Sequence, residues 1–154
     1  MRLTLISVGR QKSGAERDLA HDYADRFRKV GRGLGFRSLD LIDVDSGGGL
    51  EAEGTRLMAK VPAGAVVLRL DEYGSALTSK AFATQLAKRR DQGTPDLVFL
   101  IGGANGYSEA VREAYPDCLA MGPQTWPHRL VKVMLCEQLY RAASILSGSP
   151  YHKA

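Results

Sequence analysis

Leu97-Val98-Phe99-Leu100-Ile101-Gly102-Gly103-Ala104-Asn105-Gly106 is the stretch on which the fold reading turns. Five apolar residues in unbroken succession end abruptly in a glycine-rich segment. Such a run reads as a strand buried on both faces, and strands of that kind belong to parallel sheets covered by helices. Glycines at the carboxyl end of such a strand let the backbone approach a ligand closely.

Working outward, strands and helices alternate along the chain. Leu3 to Val8, Phe36 to Val44 and Ala65 to Leu70 read as earlier strands, and Cys118 to Met121 as a brief last one. Ser13 followed by Glu16 has the spacing of a capping box, and Ala15, Leu19, Tyr23 and Phe27 form a helical stripe behind it. Helices are also expected over Glu51 to Lys60, Lys80 to Arg90, Ser108 to Tyr115 and, longest of all, Arg129 to Ser147. Asp45 to Gly49, with three consecutive glycines, is expected to be a mobile loop. The pattern predicts an α/β fold, a mostly parallel sheet with helices on both faces. With no interior linker or repeat, residues 1–154 are expected to form a single domain.

The last helix carries two apolar stripes, one through Val131, Leu135, Leu139, Ala142 and Leu146 and one through Val133, Cys136, Tyr140 and Ala143. Burial on two sides, against a second subunit or simply within the core, would account for both.

Composition narrows the function. The chain has 154 residues, 21 Lys and Arg against 17 Asp and Glu, and 44% hydrophobic residues. These values fit a globular protein and argue against disorder. No apolar run is long enough for a membrane span, and the N-terminal stretch is too short for a secretory signal. Two cysteines make no disulfide framework, so a reduced, cytoplasmic protein is expected. From Met121 onward Arg129, Lys132, Arg141 and Lys153 face Glu137 alone, which places most of the net +4 charge in the last fifth of the chain. A basic segment points modestly to a phosphate-rich partner, although a solvated helix face is the commoner reading.

Several site types are absent. Gly9 and Gly14 have P-loop spacing, but Ala15 and Glu16 stand where Lys and Ser or Thr would bind phosphate and magnesium. The dinucleotide fingerprint and the G-x-S-x-G nucleophile elbow are also missing. Cys118 and Cys136 lie in apolar surroundings without metal-ligand spacing, so no metal site is expected. Three loops remain informative: Leu70 to Gly74, Ile101 to Gly106, and Met121 to His128. In a parallel sheet they cluster beyond the strands' carboxyl ends, where ligands bind.

The run Leu100 to Gly106, then Pro127-His128-Arg129-Leu130-Val131, the helix Glu137 to Ala142 and the ending Tyr151-His152-Lys153 resemble the SPOUT superfamily. More narrowly they resemble ribosomal large-subunit RNA (pseudouridine-N3-)-methyltransferases. The likeness covers nearly the whole chain and is strongest in its last third. It implies a C-terminal trefoil knot, although knots are almost absent among proteins generally. It also implies an S-adenosylmethionine pocket, a homodimer, and a substrate in large-subunit (23S) rRNA. Carried over residue by residue, cofactor contacts fall on Leu70, Gly102, Met121, Gly122, Pro123, Gln124, Thr125 and Trp126.

The implied reaction is methyl transfer from a sulfonium to N3 of a pseudouridine, whose proton must be removed or its anion stabilised. His128 and Tyr151 are the catalytic candidates. Arg129, Arg141, His152 and Lys153 are candidates for RNA contact, with Arg141 also able to pair with Glu137 one turn away. A lone His after Pro also caps helices, and a terminal Tyr-His-Lys can fray. Two departures stand out: Ala104-Asn105 replaces the Pro-Glu common in relatives, and Lys153-Ala154 replaces an Arg-acid ending. With no appended RNA-binding domain, the chain is expected to need the assembled ribosome or its large subunit as substrate. The competing readings are a SPOUT enzyme acting on another RNA such as tRNA, and a non-catalytic flavodoxin-like nucleotide-binding domain.

Overall fold

A computed structural model describes residues 1–153, so Ala154 of the departing C-terminal pair lies outside the described residues. Strands β1 (Arg2–Val8), β2 (Ser38–Val44), β3 (Val66–Ala76), β4 (Asp96–Ile101) and β5 (Cys118–Ala120) form a five-stranded sheet ordered β2-β1-β4-β3-β5. Every pairing is parallel. The helices are α1 (Ala15–Gly31), α2 (Leu50–Ala59), α3 (Ser79–Asp91), α4 (Glu109–Ala114) and α5 (His128–Ser147). A single 3-10 turn, Arg32–Leu34, follows α1.

The two faces have separate cores. Leu3, Leu5, Leu97 and Phe99 pack with Phe27, Leu86, Leu135 and Leu139 under α1, α3 and α5. Ile6, Val8, Val98 and Leu100 pack with Leu57 and Val111 under α2 and α4. The period-2 geometry of a strand sends neighbouring residues to opposite faces, so β4 is buried throughout and apolar from Leu97 to Ile101. Burying one such Leu or Phe side chain is worth roughly 1.5–3 kcal/mol.

Helix α1 departs from its expected pattern. Its buried residues are Ala20, Ala24, Phe27 and Gly31, while Leu19 is 44% exposed. Small residues let α1 lie close against α5, and that close approach decides the buried face instead of the Leu19 stripe. The expected capping box does not form either: Gly14 occupies the N-cap position without a side-chain hydrogen bond. Glu16 instead accepts from Gln11 Nε2 at 3.2 Å. Thr78 and Ser108 do cap α3 and α4, accepting from Ala81 N and Val111 N.

Strand β3 runs beyond its expected end at Leu70. Leu119 of β5 is paired with both Leu70 and Ser75, so Asp71 to Gly74 bulges out of the ladder. The loop Asp45–Gly49 is also tied down. Gly47 N donates to Glu53 Oε2 at 2.9 Å, and Arg56 Nη1 donates to the carbonyls of Asp45 and Gly47. No helix among the described residues is long and apolar enough to cross a membrane.

Candidate active site

The bulge of β3, the glycine loop after β4 and the segment entering α5 meet over the carboxyl ends of the strands. They enclose a cleft of about 510 Å³, a size usual for small-molecule sites. The glycine loop is folded tightly on itself, with Gly106 N donating to Gly103 O at 3.1 Å. A Cβ on Gly102 would lie 2.7 Å from Gly106 O, so no side chain fits there. The Tyr107 hydroxyl, 2.7 Å from Leu70 O and 2.8 Å from Leu100 O, joins β3 where its bulge begins to the end of β4. Burial pushes that phenol's pKa well up, so it stays protonated.

Arg69 supports the floor from below. It is buried, donates to Tyr115 O at 2.6 Å, pairs with Asp71 at 3.2 Å and lies 5.0 Å from the Tyr107 ring centroid. Thr125 donates its hydroxyl to the Glu72 carboxylate, which ties the segment before α5 to the β3 bulge. Trp126 Nε1 donates to Met121 O at 3.1 Å and turns the same segment back over the cleft.

His128 opens α5 at the cleft wall. A Cβ on Gly9 would come within 3.8 Å of its Nε2, so the ring rests against the end of β1. Burial and then Arg129 lower its pKa, with Glu53 acting in the opposite sense. The ring is therefore neutral near pH 7 and carries one acceptor nitrogen.

Six of the eight expected cofactor contacts line the cleft: Leu70, Gly102, Met121, Gln124, Thr125 and Trp126. Gly122 does not. It turns with φ +95° and faces a separate apolar groove of about 470 Å³ with Leu19, Tyr23, Val133 and Met134. Pro123 is exposed and also lies outside the cleft lining.

The remaining candidates are divided between the two ends of α5. Arg129 is exposed beside His128. Tyr151 donates to Glu137 Oε1 at 3.0 Å, and Arg141 Nε donates to the same oxygen at 2.9 Å. Arg141 Nη1 lies 3.2 Å from His152 Nδ1, and its guanidinium stacks 4.8 Å from the Tyr151 ring centroid. Burial and the contact with Glu137 push the Tyr151 pKa upward. Lys153 is exposed. Nine residues of α5, roughly 14 Å of helix, separate His128 from Glu137, so one chain does not bring His128 and Tyr151 together.

Tyr107 and Arg112 also line the cleft and were not expected there, whereas Tyr73 lines it from the expected loop Leu70 to Gly74. Tyr73 lies on the unforeseen bulge. Tyr107 and Arg112 follow the glycine loop, whose return toward the strand end was the one available signal. Among the described residues, no group of three or more His, Cys, Asp or Glu side chains is placed to hold a metal ion.

Comparison with known proteins gives this geometry a family. The family model described as "Predicted SPOUT methyltransferase" matches residues 1–152. A protein of Hyphomonas neptunium named ribosomal RNA large subunit methyltransferase H is 57% identical over 154 residues, covering all of both chains. Its namesake from Dinoroseobacter shibae is 50% identical over 99% of each. Among solved structures, a Legionella pneumophila protein in complex with the bound cofactor SAM has a TM-score of 0.50 at 11% identity. That match covers 92% of this chain and 66% of the Legionella chain, and it bears on the fold alone. With a matching family model over nearly its whole length and full-length relatives, the chain belongs to the SPOUT methyltransferase family.

Proposed function

We propose that this chain is an S-adenosylmethionine-dependent methyltransferase acting on N3 of a pseudouridine in large-subunit rRNA, on the assembled ribosome, in the cytoplasm. The observation that carries the reading is the cleft: a glycine-bearing, amide-rich loop cluster with a neutral histidine at its wall. Full-length likeness to proteins named ribosomal RNA large subunit methyltransferase H supports the choice of substrate.

The cleft has the chemistry for the cofactor. Leu70, Ile101, Met121 and Val131 supply apolar walls for a methionine moiety, and the Gly102–Gly106 backbone supplies exposed amide edges for an adenine. We assign cofactor contact to Leu70, Gly102, Met121, Gln124, Thr125 and Trp126, and keep Gly122 and Pro123 as the turn that aims them. When bound, S-adenosylmethionine presents an electrophilic methyl group on a positively charged sulfur.

An imide nitrogen is a poor nucleophile until it loses its proton. His128, neutral and half-buried at the wall, is positioned to accept that proton, and the resulting imidazolium faces the field of Glu53. Holding the nitrogen in line with the methyl group provides much of the remaining rate. Arg129, at the first turn of α5, is assigned to RNA phosphate.

Tyr151 requires a second chain in this reading. It is fixed on Glu137 far along α5, so it would serve the cleft of a partner in a homodimer. The apolar groove between Leu19, Tyr23, Val133 and Met134 supports such pairing. His152, Arg141 and Lys153 would then extend the RNA-facing surface. Residues 1–154 form one methyltransferase domain in this reading, with the segment around β5 and α5 tied as a trefoil knot.

The test is methyl transfer from labelled S-adenosylmethionine to ribosomes from a strain lacking the modification, followed by nucleoside identification. Label in N3-methylpseudouridine is expected. Label in tRNA, or in another nucleoside, would overturn the substrate assignment while leaving the family intact. Sedimentation at twice the chain mass is expected for the dimer.

A further inference from the structure

The mouth of the cleft presents two side chains whose chemistry is not used by the cofactor or by His128. Tyr73 is 89% exposed, yet its backbone is held at several points. Tyr73 N donates to Asp71 Oδ1 at 3.0 Å, and Asp71 is itself paired with buried Arg69. Glu72 is bound by Thr125. At Gly74 a Cβ would lie 2.7 Å from the Cys118 carbonyl carbon, so the bulge is pressed directly onto β5. A loop fixed this firmly, with a bare aromatic ring at its tip, offers a stacking surface that needs little ordering on binding.

Arg112, on α4, lines the same cleft and is exposed. Among the described residues no carboxylate lies within 4.0 Å of it, although Glu109 and Glu113 flank it in sequence. Its guanidinium makes a long bond, 3.4 Å, to Tyr107 O. Of the cleft's own acids, Asp71 is paired with Arg69, and Glu72 is held by the Thr125 hydroxyl on the bulge and is not bridged to Arg112. The rim therefore pairs a bare π-face with an unneutralised cation.

We infer that Tyr73 and Arg112 receive the unpaired nucleotide of an RNA loop at the cleft mouth, Tyr73 stacking on a base and Arg112 binding a phosphate. A duplex does not suit this rim, because its base faces are already stacked, whereas a splayed nucleotide offers both a face and a bare phosphate. The inference rests on the methyl-transfer reading above and names RNA contacts outside the basic C-terminal segment.

The experiment measures KM for large ribosomal subunits and its salt dependence in Tyr73→Ala, Tyr73→Phe, Arg112→Gln and the unaltered chain. Circular dichroism checks folding, and the fluorescence of Trp126 checks cofactor affinity. Tyr73→Ala is expected to raise the RNA KM roughly tenfold, by more than any change in cofactor Kd, and Tyr73→Phe to restore it. Arg112→Gln is expected to flatten the slope of log(kcat/KM) against log salt by about 0.7. Active Tyr73→Ala and Arg112→Gln proteins with unaltered KM and salt slope would overturn this inference alone. So would a Tyr73→Ala protein whose defect is a changed sedimentation mass, since the ring would then be an interface between copies. An unaltered chain that binds cofactor but methylates no RNA would overturn the substrate reading and this inference with it.

Discussion

The Lys132 ammonium lies 2.7 Å from Oδ1 of Asp43, joining α5 to the carboxyl end of β2 in a half-dry pocket. Ser7 donates to the same oxygen at 2.9 Å, and Gln11 N approaches Oδ2 at 3.4 Å. Lys132 retains 8% of its side-chain exposure and Asp43 21%. Removing one partner leaves the other charge poorly solvated. Asp43→Asn is expected to cost about 3 kcal/mol in urea unfolding, more than Lys132→Met, which leaves an acid that can still reach Ser7 and water.

The same pair sets an acid limit. Burial alone would raise the Asp43 pKa, but Lys132, Ser7 and the Gln11 amide outweigh it and hold the carboxyl below its ordinary value. The unfolded chain then takes up the proton first as pH falls. Stability from this group is complete above the unfolded pKa near 4 and disappears as pH drops through the folded value. Thermal unfolding between pH 5 and 2.5 is expected to fall more steeply for the unaltered chain than for Asp43→Asn. Parallel curves would show that other carboxyls govern the acid limb.

His128 titrates in the opposite chemical sense. Burial and Arg129 lower its pKa below 6.5, so the neutral base is already dominant at pH 7. Methyl transfer should rise with pH through that lowered value and level off before neutrality. His128→Gln is expected to lose roughly 10²–10⁴-fold in kcat while still binding cofactor. A flat profile between pH 5 and 7 would remove the histidine from proton handling.

How far the sequence shows this site depends on what each residue's neighbours do. Strand β4 was legible because burial on both faces gives the unbroken apolar run Leu97 to Ile101, and β1 because Leu3, Leu5, Ile6 and Val8 are apolar, although Thr4 and Ser7 are buried among them. The loop Gly102–Gly106 was legible because a tight return excludes side chains. Helix α1 was misread, since Ala20 and Ala24 carry little hydrophobic signal although they form the contact with α5. Asp43 and Lys132 are 89 residues apart, and no local spacing announces a pair made by the sheet order. The bulge that carries Tyr73 was missed for a related reason: β3 resumes pairing at Ser75, a register visible only with β5 in place. Tyr151 was read as a catalytic candidate from family likeness, yet nothing local in the sequence shows that Glu137 holds it away from its own cleft.

Trp126 gives the cofactor pocket a built-in reporter. It is the chain's single tryptophan, is 39% exposed and is fixed through Nε1 to Met121 O. Titration with S-adenosylmethionine is expected to change its emission saturably, as the indole is covered or its hydrogen bond shifts. Gly102→Ala is expected to abolish the response at the same ligand concentrations, since the new Cβ would collide with Gly106 O. An unaltered response in Gly102→Ala would place the ligand outside the glycine loop.

Ser144 supplies a stability prediction remote from the chemistry. Its residue is fully buried on α5, and its hydroxyl oxygen has no hydrogen-bond partner, the one such case among the buried side-chain atoms of the described residues. A buried hydroxyl without a partner costs about 1–3 kcal/mol of desolvation. Ser144→Ala removes the oxygen, keeps nearly the same shape and raises helix propensity. The lost atom also leaves a small void, which offsets part of the gain. A net stabilisation of about 1 kcal/mol is expected, raising Tm by roughly 2–4 °C for a domain of this size. Because Ser144 lies in the last two turns of α5, the substitution should leave cofactor-dependent Trp126 emission unaltered. A lowered Tm would mean that the hydroxyl does find a partner within the chain, or that its void costs more than its desolvation.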